Sequence, residues 1–271
     1  MIRAALPRPL AGPLALFGGV YSNWLALAAT LEDAARAGAE AVFCLGDLGA
    51  FGPHPDRTCE IVRQGGFSVV QGNYDHSLGH DLDDCRCGYT DPRDNWFAAL
   101  SYRYTYAHTS AHHRAWMRDL PQALRVQLGK RRLFLCHGSP RKQNEFLWET
   151  AASDHFLERL CGAAAADVLC VTHTGLPWTR RLPSGQRVVN VGAIGRPAND
   201  GDASVVYALL HLDASGAPAV EWRRVAYDHE RLAAEMRAER LPEEFVETIL
   251  TGWWTTCLEV LPMKERARGK Y

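Results

Sequence analysis

Apolar residues in this chain follow two alternating patterns. Short continuous runs at 13–20, 39–45 and 67–70 end at glycine or polar turns and read as buried strands. Between them apolar positions recur at helical spacing. Leu25, Leu27, Ala28 and Leu31 form one face of a helix that Ser22 caps and that runs to about residue 37, and a second helix after Pro55 carries Cys59, Ile61 and Val62. The β-α-β-α-β order predicts an α/β fold with helices layered outside a sheet.

Residues 76–90 show neither period, are rich in Asp, Gly, Cys and His, and read as an ordered loop. Asp91-Pro92 opens a helix to about residue 107, since proline suits a first turn, and Thr109-Ser110 breaks it and caps another that ends at Pro121. The second half is richer in strands. Runs at 125–128 and 132–136 meet at Gly129-Lys130, Ser153 caps a helix to about residue 165, and 168–171 is a further apolar strand. Hairpins are predicted at 178–182 with 187–191, around Pro183-Ser184-Gly185-Gln186, and at 204–212 with 219–225. Helices at 229–239 and 242–251 close the fold, and the charged tail 264–271 is expected to fray. No repeat, linker or composition break divides the chain. The expectation is one domain over 1–271, with a helical insert at about 76–120 and C-terminal helices at about 228–252.

Composition narrows the function classes. With 271 residues, 47% of them hydrophobic, the chain can build a core without disulfides. A net charge of −1 argues against a nucleic-acid polymer as partner. No run of eighteen apolar residues occurs, so no membrane span is expected. The start, with Arg3 and Arg8 ahead of an apolar stretch, has the look of an export signal, but Pro7, Pro9 and Pro13 interrupt it and it runs straight into the first strand. A cytoplasmic location is therefore expected. Of the eight cysteines, Cys44, Cys136 and Cys170 lie in strand-like runs and read as free, buried thiols.

Polar residues gather at strand ends, where layered α/β folds place their sites. Four clusters stand out: Gly46-Asp47-Leu48-Gly49 with Phe51-Gly52-Pro53, Gly72-Asn73-Tyr74-Asp75, Cys136-His137-Gly138-Ser139-Pro140, and Thr172-His173-Thr174-Gly175. Each alone is an ordinary turn or a structural histidine. Together, a carboxylate, an amide oxygen and two imidazoles make a donor set suited to Zn²⁺, Mn²⁺ or Fe²⁺.

The ordered set resembles the calcineurin-like metallophosphoesterases, from about residue 14 to 211, and the segment Asn190-Val191-Gly192-Ala193-Ile194-Gly195 resembles that family's Asn-x-Gly-Ser-x-Gly. The resemblance implies a four-layer α-β-β-α sandwich of two mixed sheets flanked by helices. It also implies a metal ion held by Asp47, Asn73, His137 and His173, all present. The family's second ion is held by Asp-x-His, the shared Asp and a last His. Here Gly19, Tyr21 and Gly175 stand in place of those Asp and His residues, so three losses converge on one ion and none falls on the other. At least one divalent ion (Mn, Fe or Zn) is expected, with the second open. Tyr74 replaces a histidine that serves the leaving group in the family. It could donate a proton, with Asp75 accepting from it, although an ordinary tyrosine pKa near 10 matches neutral pH poorly.

Other residues are weighed against blander roles. Cys85 and Cys87, with His76 and His108, could replace the lost ligands, since thiolates suit Zn²⁺ or Fe²⁺. The alternatives for the two cysteines are packed thiols, a mutual disulfide, or a loop that merely lids the site. Arg141 beside His137 is a candidate for phosphate, Tyr21 and Trp178 for the pocket wall, while Trp148, Trp253, Trp254 and the series Tyr102, Tyr104 and Tyr106 read as packing. The functional expectation is a metal-dependent phosphoesterase acting on a small phosphomonoester or phosphodiester. The alternatives are a non-hydrolytic mononuclear iron or zinc enzyme and a catalytically silent binding protein on the same fold.

Overall fold

Because successive side chains on a strand face opposite ways, each apolar run feeds two cores at once. The computed structural model describes residues 2–4 and 9–270. In chain order the elements are β1 (Ile2–Ala4), β2 (Leu14–Phe17), α1 (Trp24–Arg36), β3 (Ala41–Cys44), α2 (Pro55–Gln64), β4 (Ser68–Val69), α3 (Asn73–Gly79), α4 (Pro92–His108) and α5 (Ala111–Arg118). There follow β5 (Ala123–Leu128), β6 (Arg131–Cys136), α6 (Asp154–Ala164), β7 (Val168–Val171), β8 (Pro177–Arg181), β9 (Arg187–Val191), β10 (Val205–Leu212), β11 (Pro218–Val225), α7 (His229–Ala238), α8 (Glu243–Thr251) and α9 (Met263–Arg266).

Two mixed sheets form, one ordered β1-β5-β6-β7-β9-β8 and the other β11-β10-β2-β3-β4. In the smaller sheet β2, β3 and β4 are parallel, with β10 and β11 closing it antiparallel. In the larger, β6, β7 and β9 are parallel and β5 and β8 run against them. Leu14, Leu16, Phe43 and Leu210 from one sheet meet Leu135, Cys170, Val189 and Val191 from the other. Each such side chain removed from water contributes about 1.5–3 kcal/mol. Their strand neighbours Ala15, Phe17 and Cys44 face outward under Leu27, Cys59 and Leu78 of α1, α2 and α3. On the far side Phe134, Leu169 and Val171 are covered by Leu157 and Leu160 of α6. The result is the four-layer α-β-β-α sandwich.

Several local expectations are corrected. Residues 73–79 of the supposed turn and loop form α3, opened when the Asp75 carboxylate accepts from the Gly72 N–H at 2.8 Å. With Leu78 its one large apolar side chain, that helix has no period to read. Asn23, not Ser22, caps α1, its side-chain oxygen accepting from the Ala26 N–H at 3.0 Å. The tail does not fray over its described part: α9 buries Glu265, whose carboxylate accepts from the Thr150 N–H at 2.8 Å. Short β1 escaped the pattern altogether. Pro7 and Arg8, in the supposed signal-like start, lie outside the described residues.

The parallel strands all point their C-terminal ends toward one edge of the sandwich, which assembles the four polar clusters. Gly46 makes this possible. Its φ is +90°, and a Cβ there would lie 2.3 Å from the backbone N of Gly72, so the turns after β3 and β4 touch only because neither carries a side chain at the contact. Gly46→Ala is expected to cost about 2–4 kcal/mol in denaturant unfolding, from strain and overpacking together. A cost below 1 kcal/mol, by the same measurement, would contradict this contact.

Candidate metal centre

The site is built from hydrogen bonds before any ion is considered. Asp47 sits in the left-handed region, φ 58°, just past β3. The Asp75 carboxylate accepts from the N–H groups of Asp47 at 2.9 Å, Leu48 at 3.0 Å and Gly72 at 2.8 Å, so it fastens one strand-end turn to the next. Tyr74 N–H donates to Asp47 Oδ1 at 3.0 Å. The other oxygen, Oδ2, is left facing His137 Nε2 at 3.2 Å.

Two backbone carbonyls decide the histidine tautomers. His137 Nδ1 lies 2.6 Å from the Leu45 carbonyl and His173 Nε2 lies 3.1 Å from the Cys87 carbonyl. A carbonyl only accepts, so both of those nitrogens carry hydrogen. The opposite nitrogens, His137 Nε2 and His173 Nδ1, then present lone pairs to each other across 3.1 Å. Asp47, His137 and His173 thus aim three acceptor atoms, all within 4.8 Å of one another, at one buried point. Such an arrangement repels itself unless a proton or a cation sits among the acceptors. Two imidazole nitrogens on one tetrahedral zinc would be about 3.3 Å apart, close to the observed separation. Asn73 adds a further sign of fit. Its Nδ2 donates to the Cys85 carbonyl at 2.8 Å, while its Oδ1 is buried with no partner. A buried acceptor left unpaired costs about 1–3 kcal/mol, which a cation would relieve.

Charge coupling follows from this geometry. Burial pushes the His173 imidazole down to about 3, with His137 adding to the effect. Burial also works against a charged His137, but the Asp47 carboxylate outweighs it and the net direction is upward. Asp47 is lowered by His137 and His173 despite its own burial. Burial, reinforced by the Asp47 charge, lifts Asp75 to about 6.

Two ligand side chains of the family's second ion have no room here. A Cβ on Gly19 would lie 2.8 Å from both Tyr21 Cζ and Ala193 Cβ, and one on Gly175 would lie 3.1 Å from Arg196 Nη2 and 3.0 Å from the Trp254 ring. Tyr21, Arg196 and Trp254 fill the space where two of the missing ligands would start. Among the described residues no other group of three His, Cys, Asp or Glu side chains converges on one point.

The remaining candidates disperse. Cys85 and Cys87 are bonded to each other, so neither offers a thiolate. Their loop contributes instead through backbone, each carbonyl holding one site side chain, with Asn144 donating to the Arg86 carbonyl at 2.7 Å. Proposed as ligands, His76 and His108 are not among the converging residues. His76 leans on His80, and His108 stacks on Tyr104 at an exposed helix end. Tyr74 does not pair with Asp75, whose oxygens are taken by backbone N–H groups. Its hydroxyl donates to Ser101 Oγ at 3.0 Å. Arg141 is bound at the surface by Glu145. Trp178 is a core residue donating to the Leu147 carbonyl at 3.0 Å. Tyr102, Tyr104 and Tyr106 tie their hydroxyls to the Leu82 carbonyl, Glu239 and Asp81. Trp254 was read only as packing and Arg196 only as part of the segment running from residue 189 to 197, while Phe146, whose ring lies 4.3 Å from that of His173, was missed. That segment placed Arg196 near the site without giving it a role, and nothing local gave Trp254 or Phe146 a place there.

Two facing mixed sheets with a buried carboxylate–imidazole cluster at the parallel strand ends define a metallophosphoesterase-type protein. The chain belongs to the calcineurin-like phosphoesterase superfamily, whose domain matches residues 16–215. It is 24% identical over 254 residues to an uncharacterized protein of Methanocaldococcus jannaschii, an alignment covering 88% of this chain and 98% of that one. A hypothetical protein of Pyrococcus horikoshii superposes with a TM-score of 0.73 at 23% identity, over 94% of this chain and 100% of the other. A metallophosphoesterase of Sphaerobacter thermophilus gives a TM-score of 0.66 at 26% identity, over 89% and 99% respectively. No helix among the described residues is long and apolar enough to cross a membrane.

A divalent ion at this cluster must displace the proton that His137 shares with Asp47. Because the His137 pKa is raised, that proton is present below it and absent above, so affinity is full at alkaline pH and falls as pH drops through it. Titration calorimetry with Mn²⁺ is expected to show an affinity loss of about tenfold per pH unit on the acid side. An affinity that does not fall on acidification would contradict the shared proton.

Proposed function

We propose that this protein is a metal-dependent phosphoesterase that hydrolyses a small phosphomonoester or phosphodiester with a single divalent ion. The observation that supports this most directly is the convergence of Asp47 Oδ2, His137 Nε2 and His173 Nδ1 on one point, beside the unpartnered Asn73 Oδ1. These four side chains would hold the ion, and their mixed oxygen and nitrogen donors suit Mn²⁺, Fe²⁺ or Zn²⁺. When bound, such an ion supplies Lewis-acid polarisation of a phosphoryl oxygen and of the attacking water.

The chain's own groups do the positioning. The Leu45 and Cys87 carbonyls lock both imidazoles in the ligating tautomer, a role that outer hydrogen bonds play around many metal sites. Asp75 acts as a positioning residue through the backbone of Asp47. Tyr74, its hydroxyl engaged by Ser101, orients Asp47 by its N–H rather than donating to a leaving group. Six cysteines are free and buried against one bonded pair, Cys85–Cys87, and on that majority we place the protein in the cytoplasm.

One observation favours the silent alternative. Asp47, Asn73, His137 and His173 are each no more than 8% exposed, and the 85–87 loop rests on two of them, so a substrate would have to displace that loop. Assay of the Mn²⁺-loaded protein against an aryl phosphate, with metal analysis of the same sample, separates the readings. Turnover is expected in the wild type, reduced at least about 100-fold by Asn73→Ala and changed less than about threefold by Tyr74→Phe. One ion per chain without turnover would instead identify a binding protein or a non-hydrolytic enzyme.

A further inference from the structure

Arg196 has no acceptor for its charge. It is 6% exposed, its Nε is buried without a hydrogen-bond partner, and among the described residues its guanidinium meets no carboxylate. What holds it is aromatic: its Cζ lies 3.4 Å from the centroid of a Trp254 ring, 5.2 Å from Phe51 and 5.8 Å from Tyr21. Trp254 is itself fixed, with its indole N–H donating to the Pro197 carbonyl at 2.7 Å and its backbone N–H to Asn199 Oδ1 at 2.8 Å. Stacking of this kind engages the flat face of a guanidinium. The N–H groups lie in the plane, and the buried Nε–H among them is left without a partner, which is costly for a desolvated charge.

The position of this cation matters as much as its state. Nη2 stands 3.1 Å from where a Cβ on Gly175 would be, two residues beyond His173, and the Tyr21 ring covers Gly19 in the same space. A small cavity of about 10 Å³ against Arg196, lined chiefly by Phe51, Met236, Phe245 and Ile249 with Thr248 and Thr256, holds at most one water. That cavity has no room for an oxyanion.

We infer that Arg196 takes the place of the missing second cation and binds a phosphate oxygen of the ligand held at the Asp47–His137–His173 centre. A guanidinium edge matches two oxygens of a tetrahedral oxyanion with parallel hydrogen bonds. The ligand class is accordingly a phosphate mono- or dianion gripped between one metal ion and one arginine. The inference deepens the one-metal reading above and rests on it for the metal half of the grip.

The test uses Mn²⁺-loaded protein and inorganic phosphate as the probe, read by calorimetry, with metal content measured on the same samples. Arg196→Met is expected to leave the metal stoichiometry and affinity unchanged while weakening phosphate binding on the order of 10–100-fold, and Arg196→Lys is expected to restore part of it. Unchanged phosphate affinity in Arg196→Met overturns the inference, as does a second ion bound by the wild type. Should Arg196→Met fail to fold, tungstate soaked into wild-type crystals decides: anomalous density against the guanidinium supports the assignment, and its absence there overturns it. Phosphate binding through Arg196 in a protein that turns over no aryl phosphate would sink the hydrolase reading and leave this one standing. Turnover that survives Arg196→Met with phosphate affinity intact would do the reverse.

Discussion

The convergence of acceptor atoms at the parallel strand ends is the constraint on which the rest of this molecule turns. Asp47, His137 and His173 are held with their hydrogens facing away, on Leu45 and Cys87, and their lone pairs facing inward. Without a cation those inward lone pairs repel one another unless a proton sits among them. The arrangement survives because the scaffolding is independent of the ion: the Asp75 carboxylate binds three backbone N–H groups and ties two turns together whether or not a cation is present. The fold thus holds the donors in place in advance, which lowers the ordering cost of binding.

The other half of the family's site has been rebuilt rather than emptied. Removing Asp and His side chains at Gly19 and Gly175 would leave a void beside a buried carboxylate. Here aromatic rings close the volume and a guanidinium supplies the positive charge. The exchange is chemically unequal. A divalent ion polarises bound water and has no fixed hydrogen-bond directions, whereas a guanidinium cannot ionise water and attracts oxygens only in its plane. A centre with one of each is better at gripping a phosphate than at generating a nucleophile from two sides.

Much of this was legible residue by residue. The runs around Leu14, Phe43 and Val168 announce strands because burial on both faces leaves an unbroken apolar string. Asp47, Asn73 and His137 each sit beside a glycine and His173 two residues from one, all after those strands, and their order marks a candidate donor set because parallel strands must end on one side. The pattern failed where the deciding contact is distant or carries no side-chain signature. Helix α3 rests on a capping carboxylate rather than on a period. Cys85 and Cys87 drew attention as thiols, yet what they bring to the site is two carbonyls, which any residue could supply.

By itself the sequence determined the layered α/β class, the polar residues at the strand ends and the absence of the family's Asp-x-His and last His, because these depend on residue type and order along the chain. Only the tertiary structure decided the tautomers, the release of Tyr74 to Ser101 and the stacking of Arg196 on Trp254, 58 positions away. These depend on which groups meet across the fold. Hydrogen-bond direction and aromatic stacking are properties of pairs in space, and no local pattern in the chain encodes them.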